Sequence, residues 1–369
     1  MKITDVTLKL FRWDDIPITT YNDHTGHFGG SSVLGLLTIS TDQGIDGHAF
    51  LGTSMHSADQ DGLSLIKNLK PLLIGQDPLN RELLYDRCWH RNRFTTIRAI
   101  GAVDVALWDL AGKFANLPVY KLIGAFRDCV PAYASSAILP NAQAYGEEAL
   151  KFRDSGWAAY KVHPPTRWRE DIEVCTAVRK AVGDDYSLML DSTWSYSYEE
   201  ALRVGREIEQ MGYLWYEDPL EDDDLYNMAK LREKLNIPIM ATEYSPGGFT
   251  AYAPWVLLRA TDYLRGDVQI KGGITAILKT AHLAEAFGMN FEIHHGGNSH
   301  NNWANLHVTL AIRNCQFFEV LLPPETQKFG IINDLEPDES GLIHAPTAPG
   351  IGAQIDFDLI ERNALATLA

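Results

Sequence analysis

No stretch of the 369-residue chain approaches the roughly 18 consecutive apolar residues that a membrane-spanning helix requires. Positive charge is also in short supply. Thirty-two Lys and Arg against 48 Asp and Glu leave a net charge of −16, which argues against a broad basic surface for nucleic acid or anionic lipid. Cysteine is scarce as well: Cys88, Cys129, Cys175 and Cys315 stand 41, 46 and 140 residues apart. That spacing fits neither a disulfide framework nor a zinc knuckle, so buried reduced thiols are expected. The N-terminus, Met1 to Leu10, alternates like a strand and lacks the unbroken apolar stretch of a signal peptide, so the expected location is cytoplasmic. What is present is an ordinary globular balance of 46% apolar and 22% charged residues. The length predicts two or three domains, or one α/β barrel with an additional unit.

Up to about residue 55 the pattern is strand-like, as in Val33-Leu34-Gly35-Leu36-Leu37-Thr38-Ile39, and the Gly/His/Thr-rich stretch from Thr19 to Ser32 reads as a mobile loop. From Ser57 to Leu122 the apolar spacing turns helical, most clearly over Ile97 to Ala111. Strands followed by helices predict an α+β unit over residues 1–125. After Pro131 short runs of β-forming residues alternate with amphipathic segments. The runs are Ala132 to Ser135, Ala158 to His163, Ser187 to Asp191, Leu214 to Asp218, Ile237 to Glu243, Tyr263 to Val268, Asn290 to His294 and Phe317 to Leu321. Between them, helices are expected at positions such as Glu170 to Val182, Tyr198 to Met211 and Thr275 to Phe287. The fold class is therefore α/β: a modified TIM barrel of (β/α)7β type over residues 126–345 with an N-terminal capping domain. Residues 346–369 form no further βα unit and are expected to pack back onto the capping domain.

Barrel chemistry sits at the C-terminal strand ends, so a polar residue closing an apolar strand is informative. Asp191, Glu217 and Glu243 end the third, fourth and fifth strands at equal intervals of 26 residues, which predicts that they converge. Three like charges brought together in a partly dry site repel strongly unless a cation lies between them. A hard divalent ion, most plausibly Mg²⁺, resolves the conflict and leaves positions open for water or substrate. Period-two geometry sends Phe291 and Ile293 outward and His294 inward, with His295 the weaker candidate, and places Lys161 and His163 on one inward face. Asp267 on the adjacent strand is placed to accept a hydrogen bond from His294 and fix its tautomer.

Taken together these residues resemble the enolase superfamily, and within it the mandelate racemase subgroup, over almost the whole chain. The segments that carry the likeness are Leu188-Met189-Leu190-Asp191, Trp215-Tyr216-Glu217-Asp218-Pro219-Leu220 and Pro238 to Glu243, with Asp267 five residues before Gly272-Gly273 and His294 beyond. The resemblance implies Asp191, Glu217 and Glu243 as ligands of one Mg²⁺, Asp267 and His294 as a dyad, and Glu319 as the strand-eight acid that hydrogen-bonds an enediolate oxygen. Asp267, where the muconate-lactonizing branch carries lysine, separates the two branches. One departure stands out: the usual Lys-x-Lys of strand two is here Lys161-Val162-His163. The superfamily pairs a Lys or His base with Mg²⁺.

The implied chemistry is abstraction of the proton α to a carboxylate, with the enediolate stabilised by the metal and Lys161. His294 and His163 would face opposite sides of the reacting carbon, one as base and one as acid. Dehydration of an acid sugar to a 2-keto-3-deoxy acid is the leading expectation, which makes the protein a lyase acting on a small-molecule carboxylate. The alternative is a racemase, epimerase or cycloisomerase working through the same intermediate. A glycosidase with paired carboxylates Glu217 and Glu243 leaves the third acid, the Lys161/His163 pair and the dyad without roles. Tyr21, His24 and His27 in the first cap loop, together with His295, are candidate substrate contacts, and Gly52-Thr53 a second cap loop. Arg91 or Arg93 would suit a distal carboxylate. A homo-oligomer, from dimer to octamer, is also expected.

Overall fold

The computed structural model describes residues 1–369. Two long strands, β1 (Ile3–Thr19) and β2 (Phe28–Thr41), pair antiparallel, and β3 (Asp46–Leu51) joins the free side of β2. Five helices follow: α1 (Asp59–Asn68), α2 (Lys70–Leu73), α3 (Arg81–Trp89), α4 (Ile97–Ala115) and α5 (Val119–Leu122). α4 begins where the Thr96 side chain accepts a hydrogen bond from the Ala99 amide, and it ends at Asn116 in the left-handed region (φ 54°).

α4 packs close against the second half of the chain. A Cβ on Gly101 would stand 2.5 Å from the Val268 carbonyl oxygen, so only glycine lets the helix approach this near. One turn on, buried Asp104 accepts hydrogen bonds from the Thr275 amide (2.8 Å) and hydroxyl (2.6 Å). The cap is thereby pinned to the start of a barrel helix.

The eight expected barrel strands form as β4 (Cys129–Ser135), β5 (Ala159–Val162), β6 (Ser187–Asp191), β7 (Trp215–Glu217), β8 (Ile239–Ala241), β9 (Tyr263–Gly266), β10 (Asn290–Ile293) and β11 (Phe318–Leu321). The helices between them are α6 (Ala142–Asp154), α7 (Trp168–Val182), α8 (Tyr198–Gln210), α9 (Leu225–Arg232), α10 (Ala253–Leu257), α11 (Ile274–Ala286) and α12 (Ser299–Ala311). Several strands stop one or two residues short of the expected ends, so His163, Glu243, Asp267 and His294 stand in the first residues of the loops rather than in the ladder.

The sheet is parallel and runs in the order β11-β4-β5-β6-β7-β8-β9-β10. No backbone ladder joins β10 to β11, so the closed barrel expected from the strand count is a curled sheet with one seam. Side chains stitch that seam: Gln316 N–H to Glu292 Oε2 (3.0 Å) and His295 N–H to Glu319 Oε2 (3.1 Å). Inside, Tyr133, Ala159, Met189, Trp215 and Met240 form a buried apolar plug, the packed interior characteristic of barrels.

The C-terminal segment contributes β12 (Leu342–His344), which pairs with β4, then α13 (Phe357–Arg362) and β13 (Ala364–Leu368), which pairs with β1. Only residues 20–27 lie outside the first two strands, a shorter loop than the sequence suggests, because the β1–β2 ladder continues past two irregularities to pair Thr19 with Phe28. All four cysteines are free, and Cys129 alone is not fully buried. No helix is long and apolar enough to cross a membrane.

Candidate active site at the barrel mouth

Six acids gather at the strand ends: Asp191, Glu217, Asp218, Glu243, Asp267 and Glu319, each at most 8% exposed. Three buried cations, Lys161, Arg265 and Lys271, stand among them. Lys161 reaches Asp191 Oδ2 (3.0 Å), Glu217 Oε2 (2.9 Å) and Glu319 Oε1 (2.8 Å). Burial and neighbouring Arg265 oppose its charge, yet the three acids raise its pKa well above the ordinary lysine value. Arg265 pairs with Glu217, Glu243 (3.1 Å) and Glu319 (2.5 Å). Asp191, Glu217 and Glu243 are thus linked in series through two cations, and no three acids or histidines already surround a common metal point.

The electrostatics show that this balance is incomplete. Burial pushes Glu217 up to about 8 even with Arg265 and Lys161 beside it, and Asp218 rises well above the carboxylate range through burial and the neighbouring acids. Asp218 Oδ1 is buried without a hydrogen-bond partner. Six buried acids against three bases leave a charge deficit that protons or a cation must fill. The donors are all hard carboxylate oxygens, the chemistry that suits Mg²⁺. The residues therefore fit such an ion in charge and donor type, with Lys161 and Arg265 as the groups nearest to it.

The two imidazoles flank the trio. His163 follows β5; its Nδ1 lies 2.7 Å from the Ser136 carbonyl oxygen, an acceptor only, so the proton sits on Nδ1 and Nε2 points at Asp191 Oδ2 (3.1 Å). His294 follows β10, with Nδ1 2.5 Å from Asp267 Oδ2 and Nε2 3.3 Å from Glu243 Oε1. Asp267 is itself held by the Gln269 and Ile270 amides (2.7 and 2.8 Å). Burial works to lower the His294 pKa, but Glu243 and Asp267 outweigh it and raise it to about 9. Thr242 aims Glu243 from a strained position: a β-branched residue at φ 91°, held by Asp222 Oδ1 on its amide (2.9 Å) and by its hydroxyl's bond to the Arg265 carbonyl (3.1 Å).

Several residues sit differently from the sequence reading. Glu319 meets both Lys161 and Arg265, and these cations, against the effect of burial, hold it well below the usual carboxylate range. It is therefore held in place here as the partner of two bases. His295 turns into the seam, with Nδ1 3.1 Å from the Ile293 carbonyl oxygen, instead of facing the mouth. In the first cap loop His24 and His27 are exposed, and His27 Nδ1 bonds Thr20 of its own loop.

Tyr21 and Asn22 are the loop residues that reach the barrel. The Tyr21 ring lies 5.1 Å from His163, and its hydroxyl donates to the Leu322 carbonyl (2.8 Å). Asn22 Nδ2 donates to the Thr193 carbonyl (2.6 Å), two residues past Asp191. The second cap loop docks at Asn298, whose Nδ2 donates to the Gly52 carbonyl (2.8 Å).

Arg265 and Asn22 are absent from the sequence reading of the site, and Lys271 lies past the end of strand six, outside the expected catalytic set. Arg265 carried a usable signal, since it stands two residues before Asp267 and so shares its inward face. Lys271 donates to the Ser245 carbonyl (2.5 Å) and hydroxyl (3.0 Å), tying the loop after Glu243 to the loop after Asp267.

Comparison with known proteins agrees with this geometry. Residues 25–124 match the family model described as the mandelate racemase/muconate lactonizing enzyme N-terminal domain, and residues 144–359 match the enolase C-terminal domain-like model. The chain is 31% identical over 332 residues to the arabinonate dehydratase of Saccharolobus solfataricus, covering 86% of this chain and 87% of that one. Among solved structures, the D-glucarate dehydratase of Agrobacterium tumefaciens complexed with magnesium superposes with a TM-score of 0.87 at 35% identity, covering 99% of this chain and all of that one. A racemase from Streptomyces coelicolor A3(2) with bound magnesium also gives 0.87, at 25% identity over 98% of this chain and 100% of the other. With both of its halves matched and these acids and imidazoles at the strand ends, the chain belongs to the enolase superfamily, in its mandelate racemase subgroup.

Proposed function

We propose that this protein abstracts the proton α to the carboxylate of an acid sugar and eliminates the β-hydroxyl, giving a 2-keto-3-deoxy acid. The observation that carries the reading is the pair of imidazoles on opposite flanks of one acid trio, His163 at Asp191 and His294 at Glu243. Each has its tautomer fixed from behind, by the Ser136 carbonyl and by Asp267 respectively. Asp191, Glu217 and Glu243 would hold Mg²⁺, which supplies positive charge to the substrate carboxylate. The magnesium complexes of the dehydratase and racemase relatives support that cofactor.

The chain's own residues do the remaining work. Lys161 stabilises the charge that develops on the enediolate oxygen, an interaction stronger in the transition state than in the ground state. One imidazole takes the α-proton, and the other delivers a proton to the departing β-hydroxyl, which leaves as water. The enol then tautomerises to the keto acid. Which imidazole acts as base follows the configuration at the α-carbon. In the absence of added positive charge His294, at about 9, is protonated at neutral pH; neutralising Glu243 removes the first of the two influences that keep it so. Asn22 and Tyr21 hold the cap loop over the site and exclude water.

A second reading shares every step but the last. Because the two imidazoles approach from different strands, the second can return a proton to the same carbon, which gives a racemase or epimerase; ring opening or closure on the same intermediate gives a cycloisomerase. Incubation of a panel of acid sugars with Mg²⁺ in deuterated water separates them: dehydration yields a 2-keto acid, whereas isomerisation yields α-deuteration without loss of water. In either case His294→Asn abolishes α-proton exchange for substrates whose α-proton faces His294, and His163→Asn does so for those of opposite configuration. Exchange at the wild-type rate in the matching variant refutes the assignment.

A further inference from the structure

A cavity of about 20 Å³ lies at the seam, immediately behind the acid network. Glu319, His295, Gly296, Asn302 and Gln327 are among the residues that line it. It adjoins the reacting centre on two sides. Glu319 is the acid that Lys161 and Arg265 hold. Gly296 backs onto the His294 imidazole: a Cβ placed there would stand 3.4 Å from His294 Nε2 and 3.6 Å from Gln327 Oε1.

Two of the lining groups are bare acceptors. His295 is 1% exposed, and its Nδ1 lies 3.1 Å from the Ile293 carbonyl oxygen, which can only accept. The ring proton therefore sits on Nδ1, and burial, which lowers the pKa of the ring to about 3, keeps a second proton off. That leaves Nε2 as an acceptor, buried and without a partner. Gln327 is buried as well. Its amide is oriented by Thr326, whose hydroxyl donates to the Pro323 carbonyl (2.9 Å) and so accepts from Gln327 Nε2 (3.3 Å). Gln327 Oε1 is thereby turned away from Thr326, and it too is buried without a partner. Two acceptors cannot satisfy one another, and leaving either unpaired is costly.

We propose that one water molecule occupies this cavity, donating one O–H to His295 Nε2 and the other to Gln327 Oε1, and that His295 and Gln327 are thereby positioning residues for the cap loop. Water carries two donors, and roughly 10–15 Å³ suffices to hold it. Asn302, whose Oδ1 takes the Gly296 amide (3.0 Å), has its Nδ2 to offer to the oxygen of the water. A metal ion is a poorer occupant. No three acids or histidines surround a common point, and Lys328 shares the wall with Asp334, whose Oδ2 is the other acceptor there without a partner. The bridge reaches the mouth through the segment after β11. Gln327 braces Thr326 at one end of that segment; at the other, the Leu322 carbonyl accepts from the Tyr21 hydroxyl (2.8 Å), whose ring lies 5.1 Å from His163. One water thus ties the strand end that carries His294 to the loop that covers His163.

The tests of the water and of the loop need no substrate. A crystal structure of the wild type should place a water within hydrogen-bond distance of both His295 Nε2 and Gln327 Oε1, and magnetic relaxation dispersion of the water signal should show a long-lived buried water that His295→Phe loses. An unchanged count in that variant, or a site that exchanges with soaked thallium as a monovalent cation site does, overturns the proposal. Proteolysis within residues 20–27 reports opening of the cap loop. His295→Phe and Gln327→Met should each speed it about five-fold, the worth of one hydrogen bond, and the double variant no further, since both lose the same bridge. His295→Gln, which restores an acceptor, should recover part of the loss. Additive effects, or no recovery, overturn the positioning role. A matching rise in KM rests on the proposed α-proton chemistry; its absence, with the water and the loop behaving as expected, counts against that chemistry and leaves the bridge standing.

Discussion

Arg265→Met tests the account of the site most directly, because one guanidinium with no exposed surface pairs with Glu217, Glu243 and Glu319 together. Methionine keeps much of the volume and removes the charge. Lys161 still reaches Glu217 and Glu319, and His294 still reaches Glu243, so one oxygen of each of the three acids loses its partner. Removing one side of a buried ion pair costs about 3–5 kcal/mol, since the charge left behind remains desolvated. We expect a loss of that size in the unfolding free energy, measured by urea denaturation in EDTA at pH 7.

The pH dependence has a definite sign. Glu319 is held well below its ordinary value by Arg265 and Lys161. Its stabilising contribution is therefore present above the unfolded glutamate pKa of about 4.3 and is lost as pH falls. The gap between wild type and Arg265→Met should accordingly narrow as pH falls below about 4. Saturating Mg²⁺ should close part of it at pH 7 in proportion to its tighter binding by the variant, by about 1.4 kcal/mol for each tenfold difference in Kd. A loss below about 1 kcal/mol in EDTA, or one that is independent of pH, would refute the view that Arg265 neutralises the acids.

Three further outcomes are expected. Asp104 is raised to about 7, chiefly by burial, so relative to an unfolded value near 3.9 it contributes most stability when protonated and loses it as pH climbs from about 4 to 7; the full shift corresponds to at most about 4 kcal/mol. Asp104→Asn should therefore gain on wild type between pH 5 and pH 8 in urea midpoints, and a constant difference counts against the assignment. Asn22→Ala, which unlatches the cap loop from the Thr193 carbonyl, should raise KM several-fold and speed proteolysis within residues 20–27, with a stability loss of about 1 kcal/mol; an unchanged KM speaks against the latch. Lys161→Met should reduce kcat by two to three orders of magnitude, about 2.7–4 kcal/mol of transition-state stabilisation, and a loss confined to KM would show that Lys161 serves only in ground-state binding.

The strands of the barrel were legible because each is a short β-forming run closed by a polar residue, and the equal 26-residue spacing brought Asp191, Glu217 and Glu243 to neighbouring ends. Period-two alternation turned His294 inward, and Asp267, closing the adjacent strand, was its nearest acid. What escaped depends on contacts between distant residues. Arg265 reads as one residue within Tyr263-Leu264-Arg265-Gly266, and only the convergence of three other strands shows that its charge is matched. That unseen arginine also explains why Glu319 is ionised and anchored. The missing ladder between β10 and β11 leaves no local trace, since pairing is a property of two segments. The stretch from Thr19 to Ser32 was read as loop from its glycines and polar residues, yet Phe28 to Ser32 extend a long hairpin whose pairing outweighs composition. His24 and His27 attracted attention as chemically versatile side chains; buried Tyr21 and Asn22, by packing, became the ones that touch the barrel.

The seam between β10 and β11 has a consequence for the life of the protein outside its chemistry. A barrel closed by ladders has no edges, whereas this sheet keeps two, and an uncovered edge is a template for strand addition from another chain. Glu292 and Glu319 cover those edges with side-chain bonds across the seam, which leaves less of either edge open to a second chain. Glu319 belongs both to that closure and to the charge network of the site. Its loss is therefore expected to lower soluble yield along with turnover, so that drift at this position meets selection twice.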